Sequence, residues 1–246
     1  MQVAILVGGK GTRLFGRASL VPKALVEIGG RPILWHVLRL YAHYGVKDFV
    51  LCLGHLGDMI RQAFSPSPAQ GEPLPLCSEG EAWRIAFAET GDETPTGGRI
   101  KLAAPYLSGE VFMATYGDGL ADLDIRRLLE FHRAHGRMAT VTAVQARTQF
   151  GLMKLGADGS VLQFEEKPWL PDLVNGGFYV FNREILDELS PGHVLEREVL
   201  PALAVRGELV AFQHHGFWAC LDTYKDAVVL NDLWEAGQAG WKAWQE

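Results

Sequence analysis

The run from Val3 to Val7 reads Val-Ala-Ile-Leu-Val and stops at Gly8-Gly9. An unbroken apolar run of this length, with no alternation, suits a strand buried on both faces, inside a sheet covered by helices on both sides. The rest of the first half keeps to that plan. Residues 24–28 form a second short apolar run closed by Gly29-Gly30. Pro32 opens a segment in which Ile33, Val37, Leu40, Tyr41 and Tyr44 recur at helical spacing until Gly45. Residues 49–53 read as another buried strand and 57–64 as a helix. Further strands are expected at 83–88, 111–116 and 139–144, with a helix capped by Asp122 or Asp124 and reaching about Ala134. Strands alternating with helices predict an α/β fold with a mostly parallel, doubly wound, Rossmann-like mixed sheet.

Residues 65–80 hold four prolines and read as a loop or hairpin excursion, and 89–98 as a polar connection. Beyond 145 the pattern changes. Shorter strands near 151–155, 161–164, 178–181 and 209–213 mix with helices near 183–189, 193–206 and 223–236. The expectation is one domain, 1–246, with a core over 1–145 and a smaller α+β subregion over 146–246.

The chain's 246 residues are enough for a sizeable core, and a formal net charge of -6 without a dense Lys/Arg run excludes nucleic acid as the main partner. The three cysteines, Cys52, Cys77 and Cys220, are odd in number and far apart, so no disulfide framework or zinc spacing is indicated. The first residues lack the apolar h-region of a signal peptide and no stretch is long enough to span a bilayer, so a cytoplasmic location is expected.

Four segments carry candidate chemistry. After the first strand, Leu6-Val7-Gly8-Gly9-Lys10-Gly11-Thr12-Arg13 lets the backbone approach a ligand and aim N–H groups at phosphates. Arg13 offers a planar fork for phosphate oxygens and Lys23, after Pro22, a mobile point charge. The spacing is neither GxGxxG, since position 14 is Leu, nor GxxxxGK[ST], which lowers the standing of a dinucleotide oxidoreductase and of a P-loop ATPase. A plain glycine turn with solvated charges is the alternative. Next, the run ending Tyr116-Gly117-Asp118-Gly119 delivers a carboxylate to the carboxyl end of a strand, where open α/β sheets bind ligands and where Mg²⁺ finds the hard oxygens it prefers. An ordinary turn aspartate fits equally well. Glu165-Glu166-Lys167-Pro168 closes another apolar run, and Asn175-Gly176-Gly177 opens one. Glu166 and Asn175 suit sugar hydroxyls and Lys167 a phosphate. Finally, Asp222-Thr223 precedes a helix, and a helix N-cap is the plainer reading of Asp222.

The order of these motifs along the whole chain resembles that of the sugar-1-phosphate nucleotidyltransferases, and within them the glucose-1-phosphate cytidylyltransferases. The likeness extends to VEIGGRPILWH at 26–36, TGD at 90–92, TGGR at 96–99, VNGG at 174–177, GFW at 216–218 and the Trp-rich tail. It implies nucleotidyl transfer from an NTP, CTP foremost, to a sugar 1-phosphate, with Mg²⁺ as cofactor and no nucleic-acid or membrane partner. Leu6, Gly8, Gly9, Gly11 and Thr12, with Thr96, Gly97 and Arg99, would then meet the nucleotide. Arg13 and Lys23 would be catalytic, Asp118 and Asp222 would hold the metal, and Glu166, Lys167 and Asn175 the sugar phosphate. Glu89 is a weaker candidate, as acceptor for a base amine. The sequence departs from the family at Val21-Pro22-Lys23-Ala24, where Lys-Pro-Lys-Pro is usual, and at Val7, where Ala is usual. The histidines need no role in such chemistry, and Trp35, Trp218 and Trp234 read as packing residues. Apolar material near Trp241 and Trp244 suggests a subunit contact and a homo-oligomer.

Overall fold

The computed structural model describes residues 1–9, 21–65 and 82–244. The expected excursion at 65–80 therefore lies almost wholly outside the described residues. In chain order, β1 (Gln2–Leu6) is followed by the short antiparallel pair β2 (Glu27–Ile28) and β3 (Arg31–Pro32). Then come α1 (Ile33–His43), β4 (Asp48–Leu53), α2 (Gly57–Phe64), β5 (Arg84–Glu89), α3 (Thr96–Ala103) and β6 (Val111–Tyr116). After β7 (Gly119–Ala121), α4 (Ile125–His135) and β8 (Ala139–Val144), a ribbon of β9 (Leu152–Leu155) and β10 (Val161–Glu165) leads to β11 (Val174–Asn182). The chain ends with α5 (Ile185–Glu188), a π-helical turn (Leu195–Val199) running into α6 (Leu200–Val205), β12 (Leu209–His214), β13 (Trp218–Cys220) and α7 (Tyr224–Glu235).

The local signals explain many of these boundaries. Asp124, not Asp122, caps α4, its side chain accepting from the Arg126 and Arg127 amides at 2.9 and 3.2 Å, and Gly136 ends that helix at φ 64°. The polar stretch expected at 89–98 instead contains the start of α3. A Cβ at Gly97 would lie 2.7 Å from the His193 carbonyl, so glycine lets this helix seat against the following loop.

Among the described residues the main sheet has seven strands, in the order β12-β8-β11-β6-β1-β4-β5. All neighbours run parallel except β11, which is antiparallel to both β6 and β8. Two strands from beyond residue 145, β11 and β12, thus belong to the same sheet as β1. Val3, Ala4 and Ile5 are fully buried, as the unbroken apolar run requires. Val3 and Ile5 join a core with α1, α4 and α7, while Ala4 joins another with α3, α5 and α6. The sheet is covered on both faces.

The C-terminal tail differs from the expectation of an exposed apolar patch. Trp241 and Trp244 are only 1% and 4% exposed and pack within the chain around His36. His36 Nε2 lies 2.8 Å from the Ile28 carbonyl, and Trp241 Nε1 donates to His36 Nδ1 at 3.3 Å. The ring is therefore neutral, with its hydrogen on Nε2. Burial lowers its pKa to about 4, and the charges of Arg31 and Lys242 act in the same direction.

Candidate active site

Strand order reverses between β1 and β6, the place where doubly wound sheets bind ligands. Leu6 pairs with Tyr116, and the Gly117 amide donates to the Leu6 carbonyl at 3.1 Å. The chain segments leaving the two strands, Val7-Gly8-Gly9 and Gly117-Asp118, consequently emerge side by side. A Cβ at Gly117 would stand 2.6 Å from Val7 Cγ1, so this close approach needs glycine. A cleft of about 440 Å³ opens here, lined by Leu6, Gly8, Gly9, Lys23, Thr96, Arg99, Asp118 and Asp222 among others.

Lys23 stands on a short 3₁₀ turn after Pro22. Its Nζ lies 2.6 Å from Asp118 Oδ2 and 2.7 Å from Asp222 Oδ1, the latter 199 residues away in sequence. The two carboxylates meet because β13 pairs antiparallel with β7, Cys220 opposite Gly119, and the Leu221 amide donates to the Asp118 carbonyl at 3.0 Å. Asp222 is not the helix cap. Thr223 caps α7 and forms a capping box with Asp226, which leaves the Asp222 carboxylate free to reach Lys23. Burial by itself lowers the Lys23 pKa, but attraction and hydrogen bonding from Asp118 and Asp222 outweigh it and the net shift is upward. Asp118 is raised, chiefly by burial and further by the like charge of Asp222, with Lys23 opposing.

One oxygen each of Asp118 and Asp222 and the Cys220 sulfur lie within 4.8 Å of one another. Burial, then the charge of Asp118, pushes the Cys220 thiol well up, so it stays protonated and soft. The two carboxylates are the hard donors, and the ammonium between them marks a position already favourable to positive charge. This donor set fits a divalent cation such as Mg²⁺, which takes one or two carboxylates and completes its shell with phosphates and water.

Arg99 faces the cleft with its guanidinium engaged by protein oxygens. Nη1 donates to the Leu53 and Gly91 carbonyls and Thr90 Oγ1 at 3.1, 2.8 and 2.7 Å, and Nη2 to the Gly8 and Asp92 carbonyls at 3.0 and 3.2 Å. It ties the end of β4 to the loops after β1 and β5. Gly97 is turned toward His193 and is absent from the cleft lining, whereas Thr96 is part of it. Glu89 lies outside that lining and is paired with Arg61.

Glu166 and Lys167 stand at the end of the exposed β9–β10 ribbon, 3.6 Å apart and 62% and 45% exposed. Lys167 adopts φ 48°, in the left-handed region and directly before Pro168. Asn175, at the start of β11, lines a neighbouring cavity. Gly11, Thr12 and Arg13 lie outside the described residues. Tyr116, which opens the Tyr116–Gly119 motif but has no role assigned to it by sequence, lines the cleft, and Glu196 is hydrogen-bonded to it. Glu196 sits in an ordinary charged stretch, Leu-Glu-Arg-Glu, and no spacing signal marks it.

The nucleotidyl transferase family profile matches residues 2–239. The chain belongs to the nucleotidyl transferase family. This family member is 42% identical over 258 residues to glucose-1-phosphate cytidylyltransferase from Salmonella typhimurium, with 100% of both chains covered, and the protein of that name from Salmonella typhi gives the same figures. The crystal structure of HddC from Yersinia pseudotuberculosis superimposes with a TM-score of 0.72 at 22% identity, over 95% of this chain and 99% of that one, a likeness of fold. No helix among the described residues of this nucleotidyl transferase is long and apolar enough to cross a membrane.

Proposed function

We propose that this nucleotidyl transferase uses CTP and α-D-glucose 1-phosphate to make CDP-glucose, releasing pyrophosphate. The observation that carries the choice of substrates is the 42% identity to the Salmonella typhimurium enzyme along the full length of both chains. An oxygen of the sugar phosphate attacks the α-phosphorus in line and pyrophosphate leaves opposite. A phosphate nucleophile needs no general base, so the chain's task is positioning and charge stabilisation.

Leu6, Gly8, Gly9, Gly11 and Thr12 wrap the nucleotide, with Thr96 at the mouth of α3 and Gly97 letting that helix seat closely. Arg99 holds the loops after β1 and β5, which line the nucleotide cleft, against the end of β4. Arg13 grips the departing phosphates, and Lys23 neutralises charge gathering on the α-phosphate. Asp118 and Asp222 hold Mg²⁺, which when bound supplies a Lewis acid for the reacting phosphates. Glu166 and Asn175 hold the sugar, and Lys167 its phosphate. The left-handed backbone at Lys167 supports a functional placement, since such strain costs about 1–3 kcal/mol and persists where surroundings enforce it.

The test is a panel of nucleotides against sugar 1-phosphates with Mg²⁺, read as pyrophosphate release. Turnover with CTP and glucose 1-phosphate is expected. Turnover only with UTP or dTTP would move the base assignment and keep the reaction class. Ala24 lines the cleft where the family usually has proline, which makes the choice of base the part of the assignment the panel decides.

The same reading puts the enzyme in the cytoplasm, as a homo-oligomer. Support for self-association comes from the ribbon rather than the tail: Phe150, Leu152, Met153, Leu155, Leu162 and Phe164 are 47–75% exposed. Light scattering should give more than one chain per particle, and a monomeric mass at assay concentration would remove the oligomer from the proposal.

A further inference from the structure

Beside the cleft lies a second cavity of about 320 Å³. Asn175 and Glu196 line it, whereas Thr96 and Tyr116 line the cleft. A continuous run of side-chain hydrogen bonds joins the two. Asn175 Nδ2 donates to the Tyr179 hydroxyl at 2.6 Å, which lies 3.0 Å from the Tyr116 hydroxyl. Tyr116 donates to Glu196 Oε1, and Thr96 Oγ1 donates to Glu196 Oε2 at 2.7 Å. Thr96 Oγ1 also accepts from the Leu195 amide at 2.9 Å.

The direction of this run is set at its ends. An amide NH₂ can only donate and a carboxylate can only accept, so the hydrogens must point from Asn175 through Tyr179 and Tyr116 to Glu196. Burial raises both phenols, that of Tyr179 to about 12, so each keeps the hydrogen the run requires. The other end of the Asn175 amide is also committed, its Oδ1 accepting from the Gly177 amide at 2.9 Å. Glu196 itself stands in the π-helical turn, a widened turn of a kind often retained at working sites.

We infer that Glu196 is a positioning residue, the common acceptor that holds Tyr116 and Thr96 at the nucleotide cleft and, through Tyr179, orients Asn175 toward the sugar. The inference rests on the reading of Asn175 as a sugar contact. It assigns to the carboxylate no contact with either substrate.

Glu196→Gln keeps the size but has one acceptor oxygen in place of two, so either Tyr116 or Thr96 loses its acceptor. The KM for the sugar 1-phosphate should rise about tenfold while kcat changes by less than about threefold. Tyr179→Phe should show the same split. The double variant should be no worse than the poorer single one within about twofold, because one break already disconnects Asn175. Glu196→Asp, with both acceptors retained, should recover part of the loss. Fold-changes that multiply in the double variant, or a loss confined to kcat, overturn the inference. Should the wild-type enzyme turn over no nucleotide and sugar-phosphate pair, the substrate reading fails on its own. The same cycle run on melting temperatures then judges the connection, with additive shifts counting against it and non-additive shifts for it.

Discussion

Replacing His36 with glutamine tests the packing of the C-terminal tail through its dependence on pH. The imidazole is fully buried, and Arg31 and Lys242 stand over the faces of Trp35 and Trp234, two of the rings around it. Burial first, and those two charges after it, lower its pKa from 6.5 to about 4. As pH falls below 6.5 the unfolded chain takes up a proton that the folded chain refuses, so stability is full above that value and is lost on the way down to about 4. The total is about 3 kcal/mol, of which about 2 kcal/mol is lost between roughly pH 7 and pH 5. His36→Gln keeps a donor for the Ile28 carbonyl but places no acceptor at the Nδ1 position that Trp241 Nε1 uses, costing about 1–3 kcal/mol near neutrality. Its unfolding should then be less sensitive to pH. Urea titrations followed by tryptophan fluorescence at about pH 7 and pH 5 should show the gap between wild type and variant shrinking by about 2 kcal/mol. A gap of the same size at both values would refute a buried neutral imidazole.

Three further outcomes are expected. Asp118→Asn should lower turnover by about 10²-fold or more with little change in melting temperature, and near-normal turnover would remove Asp118 from the metal site. Lys23→Met leaves Asp118 and Asp222 facing each other without their counter-charge, so its melting temperature should fall in EDTA and recover on adding Mg²⁺. The Mg²⁺-induced rise should exceed that of wild type, and equal rises in the two proteins would count against a shared position for ammonium and metal. Arg99→Lys cannot serve oxygens from two loops and the end of β4 at once, so unfolding should become easier by about 2 kcal/mol or more and the nucleotide KM should rise. Unchanged values of both would mean that the loops hold without the clamp.

The sequence by itself determined what depends on neighbours along the chain. The unbroken run at Val3–Val7, the helical period after Pro32 and the strands at 111–116 and 139–144 are local signals, because burial on one or both faces leaves its period in consecutive residues. The order of strands and helices predicted the doubly wound sheet, and the motifs carried the family likeness. Pairing between distant segments leaves no such period. Asp222 reads as a helix cap until Thr223 and Asp226 are seen to close the cap without it. Only the antiparallel contact of β13 with β7 brings its carboxylate to Lys23 and Asp118. In sequence Arg99 is only part of the stretch that would meet the nucleotide, and folding surrounds it with carbonyls from the end of β4 and from the loops after β1 and β5. The tail's tryptophans look like a docking surface until α1 supplies His36 for them to enclose. Composition decides which side chains seek burial or charge, and the tertiary structure decides which partner satisfies each of them.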